Sequence, residues 1–194
     1  MTKFGTRNEF KLIIQLFYEG QTELDYLQQF IQQQKKTALV RLNKTYRNPN
    51  PLTLAKETIK RYNDLKTSKS EIWVIFDHDG REREIQEAID LIKQSRKDIH
   101  IAFMKPCIEI WPLLHNDIDN VTSQAAAQSK LEEIMPSYKH DRNPYFELSK
   151  MPNYAQAVRK AEQWEISLSG DSEYNSAKFA GIYKLTERIK NTEA

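Results

Sequence analysis

Cysteine is nearly missing from this sequence. Cys107 stands alone, so no disulfide can form within the chain, which fits a reducing, cytoplasmic setting. Glycine and proline are also scarce, at five and seven of 194 residues, too few for a fibrous or low-complexity chain. Long apolar runs are absent. Leu12 to Tyr18, interrupted by Gln15, and Ile72 to Phe76 fall far short of the roughly 20 residues a membrane-spanning helix needs. Met1 to Phe10 carries Lys3, Arg7 and Glu9 and has no apolar signal core. Neither charge dominates: 29 Lys and Arg face 27 Asp and Glu, a net charge of +2. The bulk charge therefore announces no nucleic-acid partner, although a local basic surface stays open. A glycine-rich phosphate loop of the Walker type is missing too, which argues against an NTPase.

What is present is the pattern of one ordinary globular domain spanning residues 1–194,. Leu12 to Tyr18 is rich in strand formers and reads as a strand buried on both faces,. Glu19-Gly20-Gln21-Thr22-Glu23 ends it, and Thr22 with Asp25 resembles a capping box for a helix with Leu24, Leu27, Phe30 and Ile31 on one face,. Ala38 to Leu42 is a weaker strand, and Leu54, Ala55, Thr58, Ile59 and Tyr62 form the next helical stripe. Glu71 to Phe76 is a strong strand ending in Asp77-His78-Asp79-Gly80. Ile85, Ala88, Ile89 and Ile92 mark another helix, and Ile99 to Met104 a fourth strand. This alternation predicts an α/β fold, a four-stranded parallel sheet flanked by helices. Helices are expected over Thr122 to Ile134, Asn153 to Ile166 and Ser176 to Ile189, giving a mainly helical C-terminal third, 116–194, packed on a core of 10–115.

In such sheets ligands bind beyond the carboxyl ends of the strands. That rule picks out Glu19 after the first strand, Asp77 and Asp79 after the third, and Glu109 five residues past the fourth. Glu23 lies one helical turn after Glu19. Converging carboxylates repel one another unless a cation lies among them, and Mg²⁺ favours such oxygen ligands. Each acid also has a plainer role, since Asp77 or Asp79 can cap a helix, Glu19 can serve a turn, and Glu109 can sit at a helix start favoured by its dipole.

Three blocks carry a family resemblance. Tyr18 to Glu23, Phe76 to Asp79, and Lys105-Pro106-Cys107-Ile108-Glu109-Ile110-Trp111-Pro112-Leu113-Leu114-His115 resemble the signature blocks of RloB-like proteins. The first two also match the wider Toprim pattern of a Glu after strand one and Asp-x-Asp after strand three. The resemblance implies a Toprim-like sheet, a Mg²⁺ site that Mn²⁺ can also fill, and phosphodiester chemistry on DNA or RNA in bacterial phage defence. It makes Glu19 a general acid/base or metal ligand and gives the metal to Asp77 and Asp79. Glu23 and Glu109 become candidates for a second metal position or for orienting the first. His115 can shuttle a proton or contact phosphate, or simply make a structural hydrogen bond at a helix end. Cys107 and Trp111 read as packing. Pro112 departs from the family, which usually has an aliphatic or aromatic residue there, and fits only if the helix begins near Glu109.

Lys44, Arg47, Lys105 and Lys139 are the expected contacts to a phosphate backbone, with Lys35, Lys36, Arg41, Tyr46 and Tyr138 near them and the loop Asn43 to Pro51 as a mobile substrate contact,. Nucleic acid is the expected partner, with a second protein from the same defence locus and a homodimer left open. The competing reading is a non-catalytic binding or sensor subunit that keeps the same core.

Overall fold

The computed structural model of the chain describes residues 11–44, 50–140, 143–144, 146–148, 151–167 and 178–193. The first apolar run forms β1 (Ile13–Tyr18), followed by α1 (Gln21–Gln33), β2 (Val40–Lys44), α2 (Pro51–Leu65), β3 (Ser70–Asp77), α3 (Glu82–Gln94) and β4 (Ile99–Lys105). Then come a short α4 (Ile110–His115), α5 (Gln124–Ile134), a pair of two-residue antiparallel strands, β5 (Tyr138–Lys139) and β6 (Asn143–Pro144), α6 (Tyr154–Ile166), β7 (Phe179–Ala180) and α7 (Ile182–Asn191).

The main sheet has the order β2-β1-β3-β4-β7. β2, β1, β3 and β4 are parallel, as the alternation predicts, with Leu16 beside both Leu42 and Trp73. A fifth strand adds to the expected four. β7 pairs antiparallel with β4, Met104 opposite Ala180, so the C-terminal third contributes to the sheet as well as covering it. The approach is close at Gly181, whose amide donates to the Phe103 carbonyl at 2.8 Å. A Cβ there would come within 2.9 Å of that same oxygen. The helix expected from Ser176 begins outside the described residues; what is described opens with β7 and becomes helical only at Ile182.

Period-two alternation splits the sheet into two apolar faces. Ile14, Leu16, Trp73, Ile75, Ala102 and Met104 point to one, with Tyr26 and Leu27 of α1, Leu113 of α4 and Leu185 of α7. Phe17, Ile72, Val74, Phe76 and Phe103 point to the other, against Leu54 of α2 and Ile85 and Ile89 of α3. Because α1 and α2 lie on opposite faces, the chain leaves β1 toward β2 and then crosses β1 to reach β3. The order reverses between β1 and β3, and crevices at such switch points are where open α/β sheets take ligands.

The capping box does not form. α1 starts at Gln21 behind Gly20, with no side-chain cap, and Asp25 Oδ1 accepts instead from the Gln21 side-chain Nε2 at 2.7 Å. The buried stripe of α1 is Glu23, Tyr26, Leu27, Phe30 and Ile31, with Leu24 only partly buried against the core. Pro112 behaves as the sequence requires: Glu109 is the N-cap of α4, so proline falls in the first turn, where a missing N–H costs no intrahelical bond. Among the described residues no helix is long and apolar enough to cross a membrane.

Candidate acidic site at the switch point

The strand exits aim the acids. β1 ends at Tyr18, and Glu19 follows at once, half-buried. Gly20 is then needed for space: a Cβ there would lie 2.6 Å from Glu23 Oε2, so the bare backbone leaves room for the Glu23 carboxylate to fold back over the end of β1. β3 ends at Asp77, which is 6% exposed. The turn beyond it uses two left-handed residues, Asp79 at φ 45° and Gly80 at φ 73°, a conformation that Asp tolerates and Gly adopts freely. The Asp79 amide donates to the Pro106 carbonyl at 3.2 Å, and His78 donates to Met104 O at 3.1 Å. These bonds pin the β3 exit against the β4 exit, where the Lys105–Pro106 bond is cis.

Glu109, 1% exposed, comes in on the start of α4. Its Oε1 accepts from the Tyr138 hydroxyl and meets His140 Nδ1 at 2.9 Å. The β5 strand and the turn after it, a segment with no readable period, supply both partners. Asp77 is tied to the same turn, Oδ2 accepting from the Ile108 amide at 3.1 Å.

The electrostatics show how near the acids are to one another. Burial raises the Asp77 pKa well above the usual carboxylate value, and the charges of Asp79, Glu23 and Glu109 raise it further. Glu23 is pushed up to about 7, first by burial and then by Glu19, Asp79 and Glu109. Burial also raises Glu19 and Asp79, over the opposing pull of Arg81. For Glu109 burial pushes upward, but the hydrogen bonds from His140, Tyr138 and Cys107 win, and its carboxyl is held below the ordinary value. Three buried carboxylate oxygens, Glu19 Oε2, Asp77 Oδ1 and Asp79 Oδ1, have no hydrogen-bond partner among the described residues. Such atoms in a like-charged cluster call for a cation.

The cation present is Arg81, which the sequence reading did not single out. Its Nη1 donates to Glu19 Oε1 at 2.5 Å, Nη2 lies 3.6 Å from Asp79 Oδ2, and Nη2 meets the Asp77 carbonyl at 3.4 Å. The only available signal was spacing: an arginine four residues after Asp77, just before a helix. Among the described residues, no three acidic, histidine or thiol groups already stand in a metal-binding arrangement. The donor chemistry fits a hard divalent ion, while the guanidinium occupies the charge-balancing position between Glu19 and Asp79.

The remaining sequence candidates divide. His115 does not join the acids. Its Nδ1 meets the Met151 carbonyl at 3.1 Å and its ring packs on Trp111 and Tyr154. It borders a separate cavity of about 310 Å³ with Tyr26, Phe30 and Lys190. Burial lowers its pKa to about 4, so the imidazole there is neutral at pH 7. Lys105 reaches the rim of the acidic site and pairs with Glu82 at 2.8 Å. Lys139 is exposed and pairs with Glu132 at 3.1 Å. Lys44 is exposed at the end of β2. Arg47 and Tyr46 lie outside the described residues. Cys107 is fully buried, with burial pushing its thiol up, and Trp111 is core, its indole N–H donating to the Tyr26 hydroxyl at 2.6 Å.

A family model described as RloB-like protein matches residues 14–189, which takes in every described strand and helix but for the first residue of β1 and the last two of α7. No curated protein and no solved structure matches the chain.

Proposed function

The chain belongs to the RloB-like protein family, and from that premise we propose that it is a divalent-metal-dependent phosphodiesterase of Toprim type, cleaving DNA or RNA in phage defence. The observation that carries this is the set of three buried carboxylate oxygens on Glu19, Asp77 and Asp79, without a hydrogen-bond partner among the described residues, at the sheet's switch point.

Asp77, Asp79 and Glu19 are the residues that would hold Mg²⁺ or Mn²⁺. Bound there, the ion would supply charge neutralisation at a phosphodiester and a water acidic enough to attack it. Glu109, kept ionised by Tyr138 and His140, adds negative potential at Asp77 and Glu23. Glu23 carries a proton readily near neutral pH, and the bare Gly20 leaves its carboxylate room to turn. Arg81 must release Glu19 for the ion to enter. Charge favours that exchange, because a divalent ion replaces a monovalent one among five acids. The freed guanidinium is then available to a phosphate oxygen, for which its planar fork is suited.

One observation favours the second reading, a binding or sensor subunit without chemistry of its own. The salt link from Arg81 to Glu19 already balances part of the charge. A cleavage panel separates the two readings. The full chain is incubated with transfer RNA, single-stranded DNA and duplex DNA, with Mg²⁺, with Mn²⁺ and with EDTA. Cleavage of at least one polymer that EDTA abolishes is the expected result. No cleavage under any condition, with no Mn²⁺ uptake by calorimetry, leaves the binding subunit.

A further inference from the structure

Beside the acidic site lies a second feature of opposite character. A cavity of about 390 Å³ opens between the β3 exit, the β4 exit and the start of α5, with Asp79 on its wall. His78, Lys105, Ser123, Gln124 and Ala125 line the rest of the space the argument needs.

Each of these groups offers a donor or positive potential. His78 is 9% exposed. Its Nδ1 accepts from the Gly80 amide at 3.1 Å, which in a neutral imidazole leaves the proton on Nε2. Among the described residues that Nε2 is buried without a hydrogen-bond partner; a carboxylate oxygen of the exposed Glu82 stands 3.7 Å away. Lys105 brings an ammonium group, held by the same Glu82 oxygen at 2.8 Å. α5 is eleven residues long and has no acidic residue in its first turn. Ser123 caps it by accepting from the Ala126 amide at 3.3 Å. The amides of Gln124 and Ala125 come before the first intrahelical bond, so they stay available as donors at the positive end of the helix.

We propose that this cavity is a phosphate subsite: it takes a backbone phosphate of a polynucleotide next to the one at the acidic centre, with His78 Nε2–H, the Lys105 ammonium and the Gln124 and Ala125 amides as donors. A tetrahedral anion is what a helix N-terminus, an ammonium and a neutral N–H donor share as a ligand. Asp79 on the wall places the subsite against the acids, so one strand can run from it to the centre. The identity of the ligand rests on the phosphodiesterase reading; anion binding itself does not.

The test is made without divalent metal, so it is independent of cleavage. The full chain is titrated with inorganic phosphate and followed by NMR at the His78 imidazole and the Gln124 and Ala125 amides. Fluorescence anisotropy then measures the affinity of a labelled single-stranded oligonucleotide. Two variants are compared. Gln124→Pro removes one amide donor while proline at the first helical position keeps the helix. Ala125→Glu adds an acid that the helix dipole favours but a phosphate opposes. Phosphate should shift those three groups together. Ala125→Glu should weaken the oligonucleotide about tenfold, and Gln124→Pro less, both with unchanged melting temperature and unchanged Mn²⁺ affinity. Shifts scattered over unrelated surface lysines, or full oligonucleotide affinity in Ala125→Glu, would overturn the subsite. Phosphate binding with no cleavage of any polymer would instead keep the subsite and remove the phosphodiesterase reading.

Discussion

Replacing Asp77 by Asn is expected to reduce metal-dependent cleavage by about a thousandfold, the effect of losing several kcal/mol of metal-based transition-state stabilisation. Folding should survive, for a local reason. Asp77 Oδ2 accepts from the Ile108 amide at 3.1 Å, and an asparagine oxygen can accept the same bond. The charge lost is one that burial and three neighbouring acids already disfavour, so the metal-free protein should be no less stable. Initial rates and thermal melts on the same preparation check both halves. A large drop in melting temperature would mean that the loss of activity reports unfolding. Cleavage at the native rate would remove Asp77 from the chemistry.

The second large effect concerns stability and pH. The Glu23 carboxyl moves from an ordinary 4.5 to about 7 in the folded protein. The folded chain therefore holds this proton more tightly than the unfolded chain does. Between about pH 4.5 and pH 7 the unfolded state binds fewer protons, so stability falls as pH rises through that window and levels off above it. At pH 8 without metal the cost is about 3 kcal/mol as an upper bound. Glu23→Gln should recover on the order of 2 kcal/mol at pH 8, or about 5 °C in melting temperature for a chain of this size. It should recover nothing at pH 4.5, where the glutamate is already protonated. A divalent ion should stabilise the native protein more at pH 8 than at pH 5, since the ion binds the ionised carboxylates. Equal melting curves for the two proteins across this range would contradict the crowding of charge at the site.

The parallel core was legible because each of its strands is a short apolar run followed by a helical stripe of a different period. Leu12 to Tyr18 and Ile72 to Phe76 could hardly be read otherwise. β7 was not legible, because two residues, Phe179 and Ala180, carry no period. Their pairing is decided by Gly181 letting the backbone approach Phe103. Among the acids that the fold gathers, those following a strand are picked out by position alone: Glu19, Asp77 and Asp79. Glu109 is picked out too, but not the Tyr138 and His140 that keep it charged, since they come from a segment 29 and 31 residues further on. Arg81 was missed because a lone arginine in a charged turn looks like solvated surface, and only the fold turns it toward Glu19. His115 sits in the most distinctive stretch of sequence, yet the helical advance of α4 carries it about 9 Å along the axis from Glu109, at 1.5 Å per residue. The resemblance of a motif thus marked one segment without separating Glu109, which faces the other acids, from His115, which packs on Trp111 and Tyr154.

The central claim is that Glu19, Asp77 and Asp79 share a divalent cation. Anomalous diffraction from Mn²⁺-soaked crystals of the full chain tests it most directly. The expected result is one Mn²⁺ site with carboxylate oxygens of all three residues as ligands and the Arg81 guanidinium withdrawn from Glu19. Anomalous density absent from this crevice at saturating Mn²⁺, with Arg81 still bound to Glu19, would contradict it.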